Sequence, residues 1–434
     1  AYQQSFLPGT SVSLSFSKTR SSVNSPSSLL NPALSGNMDL YVTQNLLQGF
    51  GRSVNNRNIR VARNNAKVTD LQLQQQIITT VSAVLNLYWD LVSFKEDVRL
   101  KEQALATARK LFEDNQKELQ LGVVATIDVT RAQAEVPSRE EDLLAAQTNV
   151  QQQEIVLKSA LSKNGVEDPL LEEVHVIPLD HFQVPEKEQL TASKELVKQA
   201  LARRPDLEQA RINIRSTLVN LEGSRNALHP TLQAFAEFTN HALAGAVNLL
   251  NVDNQYGVAN PYYIGGYGDF LGQIFRRNFP DYSVGVSLNI PFRNRAAQAD
   301  YATDQLNLRT SELQLQRSVN QVGVDVRNAA IGLRQAHARF EIAVQTRQLA
   351  EQTLKAEQMK YQLGDSTVFL VIQAQRDLVT AQDDEVQAMA NYSHARIAFD
   401  QALGVTLDTN HISLGEASAG RVERQSSLPD SVLR

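Results

Sequence analysis

Side chains that could perform catalysis or bind metals are scattered along this chain. The seven histidines lie at 175, 181, 229, 241, 337, 394 and 411, and none has a metal-ligand spacing to another histidine or to paired carboxylates. The run Asp383-Asp384-Glu385 supplies adjacent carboxylates, but such a run is more often a solvated helix face than an acid–base pair. The chain has no cysteine, no glycine-rich phosphate loop and no nucleophile elbow. These patterns predict no enzyme, no cofactor and no metal site.

Composition excludes further classes of protein. The net charge of −5 predicts no face for a polyanion, and therefore no nucleic-acid partner. The absence of cysteine suits an oxidising compartment. No run of about 20 apolar residues occurs, so no transmembrane helix is expected. The first residues, Ala1-Tyr2-Gln3-Gln4, do not resemble a signal peptide.

An internal repeat is the strongest organising feature of the sequence. Leu121-Gly122 recurs further along the chain as Leu363-Gly364. After the same interval, Val129, Ala132 and Gln133 recur in order as Val371, Ala374 and Gln375. Each Leu-Gly lies between two very long helical patterns, and strand-like segments precede each copy. The glycines are expected to permit a tight reversal or a close approach of the backbone. A duplicated unit of this kind predicts an elongated, tube-like assembly.

Four segments alternate with a period of two, which predicts strands with one apolar and one polar face. They cover residues 10–17, 38–43, 232–239 and 283–290. Loops are predicted over 18–36 and 243–281. Hairpins of a soluble sandwich and membrane strands of about 10 residues both fit the alternation. Four strands cannot close a barrel, and an open edge cannot face lipid, so membrane strands would require an oligomer.

The long helical patterns have coiled-coil seams. Residues 297–361 contain no proline, and their apolar residues recur at spacings of three and four. About 65 residues correspond to roughly 100 Å of helix. The returning helix of the second copy has alanine at every seventh position, and Pro137 in the first returning helix predicts a kink or break. A further helix is predicted over 194–228, and disorder over 412–434.

A polar stripe runs beside the alanine seam of the second returning helix. Its members are Gln373, Asp377, Thr380, Asp384, Gln387 and Asn391. A solvated face and the lining of a water-filled bore explain this stripe equally well. If it lines a bore, then Asp377, Asp384 and Glu135 give that bore an acidic balance that favours cations.

The ordered set of motifs resembles the outer membrane efflux proteins, the TolC-type exit ducts of Gram-negative bacteria. The resemblance extends from the first strand to Gly404. The segments that carry it are residues 121–129 and 363–371 at the two tips, Leu228-His229-Pro230-Thr231-Leu232, Val286-Ser287-Leu288-Asn289-Ile290-Pro291-Phe292, and Arg204-Pro205-Asp206-Leu207.

This resemblance implies a mainly α fold with membrane β-strands. Three copies would form a twelve-stranded β-barrel on a periplasmic α-barrel, each contributing two strand pairs and two long coiled-coil helical hairpins. The implied segments are a first strand pair (1–50), a first hairpin (51–161), an equatorial connector (162–193), a helix leading into the second repeat (194–228), a second strand pair with a long extracellular loop (229–292), a second hairpin (293–404) and a tail (405–434).

The resemblance also implies a function. The protein would be a passive exit duct in the outer membrane that extends into the periplasm, serving tripartite efflux or type I secretion. Its partners would be outer-membrane lipid, two further copies, a periplasmic adaptor and an inner-membrane pump. The implied adaptor-docking residues are Leu121, Gly122, Val123, Thr126, Asp128, Leu363, Gly364, Asp365 and Ser366. The implied gate and lumen residues are Leu370, Gln373, Asp377 and Asp384.

The sequence departs from the family pattern at the gate. Relatives often carry aspartates six and nine residues after the second tip glycine, where this chain has Leu370 and Gln373. Asp377 is the nearest acidic residue on that face, and the basic partner often found just after the glycine is missing. An alternative function is that of a structural, adhesin-like coiled-coil protein of the cell envelope without a transport role. Such a protein would not need amphipathic strands before both hairpins.

Overall fold

The computed structural model describes residues 1–162, 174–186, 188 and 190–420. The chain divides into two compact units. The first unit comprises Ala1–Thr69 and Ala210–Leu315. The second comprises Asp70–Gln209 and Gln316–Arg434. Each unit therefore draws on both copies of the sequence repeat.

The first unit contains one antiparallel sheet with its strands in chain order. The strands are β1 (Tyr2–Ser5), β2 (Thr10–Ser21), β3 (Leu30–Asn45), β4 (Thr231–Val247) and β5 (Pro280–Asn289). The sequence did not predict β1, which pairs with the first residues of β2. The loop predicted over 18–36 is also too long, because the β2–β3 ladder continues from Thr10↔Gln44 to Ser21↔Ala33. Cross-strand hydrogen bonds hold this serine- and asparagine-rich stretch in a strand despite its composition.

The register of the sheet separates an apolar face from a polar one. The rows of the apolar face include Val12, Val42, Ala236 and Val284, and then Leu14, Leu40, Phe238 and Tyr282. The rows of the polar face include Ser13, Tyr41, Glu237 and Ser283, and then Ser15, Asp39, Thr239 and Asp281. Along β5 the apolar side chains are largely exposed, and Val284 is 83% exposed. An exposed apolar surface of this extent marks a contact with lipid or protein.

Two long helical hairpins follow the strand pairs. After the short helix α1 (Arg52–Asn55), the first hairpin consists of α2 (Arg57–Gln120) and α3 (Thr126–Leu161). At 1.5 Å per residue, α2 is about 96 Å long. The helix α3 runs through Pro137 without interruption, contrary to the predicted break. The buried side chains of Ala132 and Ala146 hold the helix on both sides of the proline, so the loss of one hydrogen bond is tolerated.

Three further helices have bounds that the sequence analysis did not predict. The pattern over 194–228 forms two helices, α4 (Ser193–Arg203) and α5 (Pro205–Asn226). The break falls at Arg204 because a proline disfavours helical backbone in the residue before it. The helix α6 (Tyr267–Arg276) lies inside the predicted loop 243–281. It forms there because Phe270 and Ile274 bury one of its faces against the sheet.

The second hairpin consists of α7 (Arg295–Gln362) and α8 (Val368–Leu403). Its seam alanines Ala374, Ala381 and Ala388 are buried as expected for the inner face of a coiled coil. The short helices α9 (Thr406–Thr409) and α10 (Leu414–Ala419) end the described chain. The predicted disorder is therefore wrong for α10, and residues 421–434 lie outside the described residues.

One helix in the described part of the chain is long and apolar enough to cross a membrane by composition. It is α2, in which an 18-residue window has a mean hydropathy of 1.4. A membrane-spanning helix was not predicted from the sequence, because the chain has no run of about 20 apolar residues. Length and composition alone are weak evidence of a span, because the core helix of a soluble protein also meets this criterion.

Candidate functional site

The first tip, residues 121–128, begins with a hydrogen-bonded turn that ends α2. The N–H of Gly122 donates to the carbonyl oxygen of Leu119 at 3.0 Å. The N–H of Val123 donates to the carbonyl oxygen of Glu118 at 2.9 Å. This pair of bonds defines a Schellman cap, which satisfies carbonyl groups that the end of a helix would otherwise leave without partners.

The second tip, residues 363–370, begins with the same cap at the end of α7. The backbone N–H of Gly364 donates to the carbonyl oxygen of Tyr361 at 3.0 Å. The backbone N–H of Asp365 donates to the carbonyl oxygen of Lys360 at 2.9 Å. The φ angles of Gly122 and Gly364 are 74° and 80°, in the left-handed region. A Cβ at either glycine would meet no atom within 4 Å. The left-handed backbone of the reversal therefore favours glycine, and the expected close approach does not occur in the protomer.

Both tips present apolar side chains to solvent. Leu121 is 78% exposed, Val123 71% and Leu363 84%. Phe369 and Leu370 are also exposed. Apolar side chains exposed at a tight turn bury little surface in the isolated chain and so add little to its stability.

The first turn of α3 connects the two tips. Thr126 is the first residue of α3, and Asp128 lies in the same turn, where a carboxylate interacts favourably with the helix dipole. Asp128 forms an ion pair with Arg131 at 3.7 Å. The guanidinium group of Arg131 lies over the ring of Phe369, 5.7 Å from its centroid. A charge on α3, just after the first tip, therefore contacts an aromatic side chain of the second tip.

The polar residues of the second tip differ in their contacts. The side chain of Asp365 is exposed. The hydroxyl of Ser366 donates to Glu357 at 2.8 Å, and Lys360 pairs with the same carboxylate at 2.7 Å. The hydrogen bonds from Lys360 and Ser366 hold the pKa of Glu357 below its usual value. Ser366 therefore helps to order the tip from within, whereas Asp365 is free to contact a partner.

A tyrosine at the end of α7 links the two hairpins, a contact that was not predicted from the sequence. The hydroxyl of Tyr361 lies 2.6 Å from the carboxylate of Glu118 and 3.0 Å from the amide oxygen of Asn115, both on α2, and shares its one proton between these acceptors. Burial and the hydrogen bond to Glu118 raise the pKa of Tyr361. Asn115 is 1% exposed and lies three and seven residues after the apolar Phe112 and Ala108, a coiled-coil spacing. A polar residue at a seam position was the available signal, since such residues commonly form specific interhelical bonds.

The polar stripe of α8 lies entirely on an exposed face. Its members Gln373, Asp377, Thr380, Asp384, Gln387 and Asn391 are all exposed, as is Leu370 at its end. Gln373 donates a hydrogen bond to the carboxylate of Asp377 at 2.9 Å. The adjacent alanine seam is buried, so α8 has one packed face and one accessible to water.

Glu135 does not belong to that accessible face, contrary to the expectation that it adds to an acidic bore. It is 3% exposed and pairs with Arg139 of α3 and Arg376 of α8, each at 2.5 Å. Burial by itself would raise the pKa of Glu135, but hydrogen bonds from Arg376 and Arg139 outweigh burial and lower it. The carboxylate therefore joins the two returning helices.

Replacing Arg376 by glutamine is expected to lower the free energy of unfolding by about 1–3 kcal/mol at pH 7, because Glu135 keeps only Arg139 as a cationic partner. A carboxylate whose pKa is lowered in the folded state stabilises the protein above its unfolded pKa of about 4.3. That stability is lost as the pH falls through the folded-state pKa. Thermal unfolding from pH 7 to pH 3 should therefore show the two proteins converging in acid.

The control for this prediction is Arg109→Gln. Arg109 pairs with Glu140 at 2.7 Å, but both side chains are about half exposed. An exposed pair contributes less than about 1 kcal/mol. A loss for Arg376→Gln no larger than for Arg109→Gln would show that the buried network does not hold α3 to α8.

The acidic run of α8 also forms interhelical ion pairs. Asp383 contacts Lys101 of α2 at 2.5 Å, and Glu385 pairs with Arg347 of α7. Asp384 alone of the three is exposed. The expectation of a solvated face is therefore wrong for Asp383 and Glu385, because the run lies where three helices meet.

The described part of the connector packs across the second unit. Lys95 donates to the carbonyl oxygen of Val176 at 2.8 Å. Phe182 stacks on Trp89 of α2 with ring centroids 5.2 Å apart, so Trp89 packs against the connector. Within the described ranges, no group of three His, Cys, Asp or Glu residues is placed to hold a metal ion.

Comparison with known proteins gives a family and several relatives. The profile of the family described as "Outer membrane efflux protein" matches residues 1–163 and 196–405. The pyoverdine export outer membrane proteins OpmQ of Pseudomonas putida and Pseudomonas aeruginosa are 24% and 23% identical to this chain. Each alignment covers 80% of this chain, which spans 67% and 65% of the two relatives' lengths.

Solved structures share the fold at lower identity. The outer-membrane channel OprN matches with a TM-score of 0.67 and 16% identity, covering 92% of this chain and 82% of that one. CusC matches with a TM-score of 0.67 and 15% identity, and the alignment covers 92% of this chain and 84% of CusC. The outer membrane protein VceC of Vibrio cholerae matches with a TM-score of 0.65 and 18% identity, and the alignment covers 92% of this chain and 87% of VceC. Because the family profile covers both strand pairs and both hairpins, this chain belongs to the outer membrane efflux protein family, a family of channels rather than enzymes, located in the outer membrane and extending into the periplasm.

Proposed function

We propose that this protein is the passive exit duct of a tripartite system, docked through its tips to a periplasmic adaptor and coupled by it to an inner-membrane pump. The observation that carries this proposal is the pair of identically capped tips with exposed apolar side chains, each at the end of a long helical hairpin. The duct itself supplies no energy, since the chain shows no catalytic motif. It provides a sealed path that opens when the pump complex assembles.

Three copies form the duct in this proposal. In the described sheet, β5 pairs only with β4, and β1 covers four residues of β2. The remaining edge groups of both outer strands need partners, because an unpaired backbone N–H in lipid costs several kcal/mol. Residues 1–50 and 229–292 of each copy would supply the shared barrel. Residues 51–161 and 293–404 would supply the α-barrel, with the described parts of the connector and tail, 174–186 and 405–420, around it.

The tips dock the adaptor in this proposal. Leu121, Val123 and Leu363 offer apolar contact area, and the exposed carboxylate of Asp365 adds a polar contact at their edge. A fully buried apolar core with a polar rim is the usual anatomy of a protein interface. The matched geometry of the two tips would let one adaptor surface bind both.

The exposed face of α8 lines the bore in this proposal. Leu370 would form an apolar ring near the closed end, with Asp377 and Asp384 above it. The link from Tyr361 to Asn115 and Glu118 would hold the second tip against the first, so opening requires that link to break. The curated relatives are named for pyoverdine export, which favours efflux of a small molecule over secretion of a protein.

The purified protein is expected to be a trimer that binds a detergent belt and conducts ions in planar bilayers. Its mass in detergent should equal three chains of 48.1 kDa plus the belt. The physical reason is the open sheet edges, which lipid does not tolerate. A stable, water-soluble monomer without a detergent belt would rule out a membrane barrel. It would favour the alternative, a structural coiled-coil protein.

A further inference from the structure

The helix α6 (Tyr267–Arg276) lies on the apolar face of the sheet, at the end opposite the connections to α1 and α5. Its buried residues Phe270 and Ile274 pack against Ala242 and Ala244 of β4. The chain leaves β3 for α1 after Asn45, at the other end of the strands. Since those connections lead to the periplasmic helices, α6 marks the extracellular end of the sheet.

The contacts of α6 place it at the boundary of the apolar band. The ring of Phe270 lies 6.2 Å from that of Phe16, and Asn240 donates to the carbonyl oxygen of Gln273 at 3.1 Å. Phe16 and Asn240 belong to one row of the sheet. From Leu232 to that row is about 27 Å along a strand, or roughly 20 Å along the membrane normal at the usual tilt. The helix packs from that row as far as Ala244, about 31 Å along the normal by the same arithmetic. An apolar band is about 25 Å tall, so α6 crosses its outer boundary and lies at the level of the outer headgroups.

The outer side of α6 combines aromatic and cationic side chains. Phe275 is 69% exposed, and Tyr267 is also exposed. The ammonium group of Lys18 lies 4.0 Å from the ring centroid of Tyr267, and Arg277 lies 5.8 Å from that of Phe238. Aromatic rings with an apolar body and a polar tip are enriched at this level of a membrane.

Two further arginines lie beside these groups. Arg276 is exposed in the last turn of α6, and Arg20 pairs in register with Leu34, which packs against the buried side of α6. The carboxylate of Asp269 is already engaged, because it accepts the N–H of Gly266 at 2.9 Å and caps the helix. The surface formed by Lys18, Arg20, Tyr267, Phe275, Arg276 and Arg277 is named the cationic collar here. Its net charge is strongly positive.

We propose that the cationic collar binds the phosphorylated headgroups of anionic lipid in the outer leaflet. An amphipathic helix with cations on one face and aromatic residues beside them lies in the membrane interface and attracts anionic lipid. The side chains of Phe275 and Tyr267 enter the acyl boundary, while the four cations meet phosphate. This inference rests on the proposed function, because it needs the apolar face of the sheet to face lipid.

The experiment uses the full-length protein reconstituted in nanodiscs. Native mass spectrometry measures retention of a phosphorylated probe lipid, lipid A, against zwitterionic phosphatidylcholine. Each cation near an anionic surface contributes about a fivefold preference, which corresponds to about 1 kcal/mol. Lys18→Gln/Arg276→Gln/Arg277→Gln is therefore expected to lower retention of lipid A about 100-fold. The matched control is Lys67→Gln, an exposed lysine on α2, which should leave retention unchanged.

A second measurement locates α6 independently of charge. The tryptophan fluorescence of Phe275→Trp should be quenched by lipids with brominated acyl chains. The fluorescence of the parent protein, which comes from Trp89, is the baseline. Val286→Trp on the exposed apolar face of β5 reports the barrel itself. If the fluorescence of Val286→Trp is quenched but that of Phe275→Trp is not, α6 is covered by another part of the assembly. The inference about lipid binding is then wrong, but the proposed function as a duct is not contradicted. If neither is quenched, the barrel and the proposed function fail together. Unchanged lipid A retention in the triple variant also overturns the inference.

Discussion

Valine at Gly364 is expected to abolish efflux, whereas asparagine at the same position should preserve most of it. Gly364 has a φ of 80°, and the left-handed conformation costs an ordinary residue about 1–2 kcal/mol, and a β-branched one more. Asparagine tolerates this conformation and is found at the same position of other helix caps. Valine should therefore break the Schellman cap and displace Leu363 and Asp365 from the docking surface.

The measurement is dye efflux in cells that lack their own duct, with the amount of trimer determined in membrane extracts. Gly364→Val and Gly122→Val should each lower efflux at least 10-fold with normal trimer levels. Gly332→Val is the matched control, because Gly332 lies in α7 without a positive φ and a Cβ there meets no atom within 4 Å. Asp128→Lys should also abolish efflux, since it removes the pair with Arg131 and reverses the charge at the start of α3. Export that persists with valine at both tip glycines would show that the tips do not dock the adaptor.

Replacing Leu370 by serine is expected to at least double the single-channel conductance in planar bilayers. If the exposed face of α8 lines the bore, three leucines meet near its closed end, and an apolar constriction blocks ions by excluding water. A hydroxyl at this position would let water enter. The matched control is Leu144→Ser on α3, a leucine that is also exposed but lies off the stripe. A well-folded Leu370→Ser trimer with unchanged conductance would rule out the hydrophobic gate.

Asp377 allows the same geometry to be tested through selectivity. Its carboxylate accepts a hydrogen bond from Gln373 at 2.9 Å, which holds it on the exposed face. Three such carboxylates in one ring would favour cations over anions. Asp377→Asn should therefore reduce the cation-to-anion permeability ratio while changing conductance less than Leu370→Ser does. A ratio that stays constant would place Asp377 outside the conduction path.

Much of the local structure could be predicted from residue spacing alone. Alternation with a period of two identified the four long strands, and apolar spacings of three and four identified both hairpins, because these periods follow directly from strand and helix geometry. The glycines of the tips were identifiable because only glycine adopts the left-handed backbone of a Schellman cap without cost. These features depend on residues within a few positions of one another.

Other features were decided by the tertiary structure. Spacing placed Glu135 on α3 but could not show that Arg376, far along the chain, would bury and neutralise it. Composition predicted a loop where α6 forms, because the apolar surface that stabilises this helix belongs to β3 and β4. The Tyr361 link likewise depends on Asn115 and Glu118 of another hairpin. In each case, the determining contact joins residues distant in sequence, and the burial and electrostatic energy of such a contact exist only once the elements have packed.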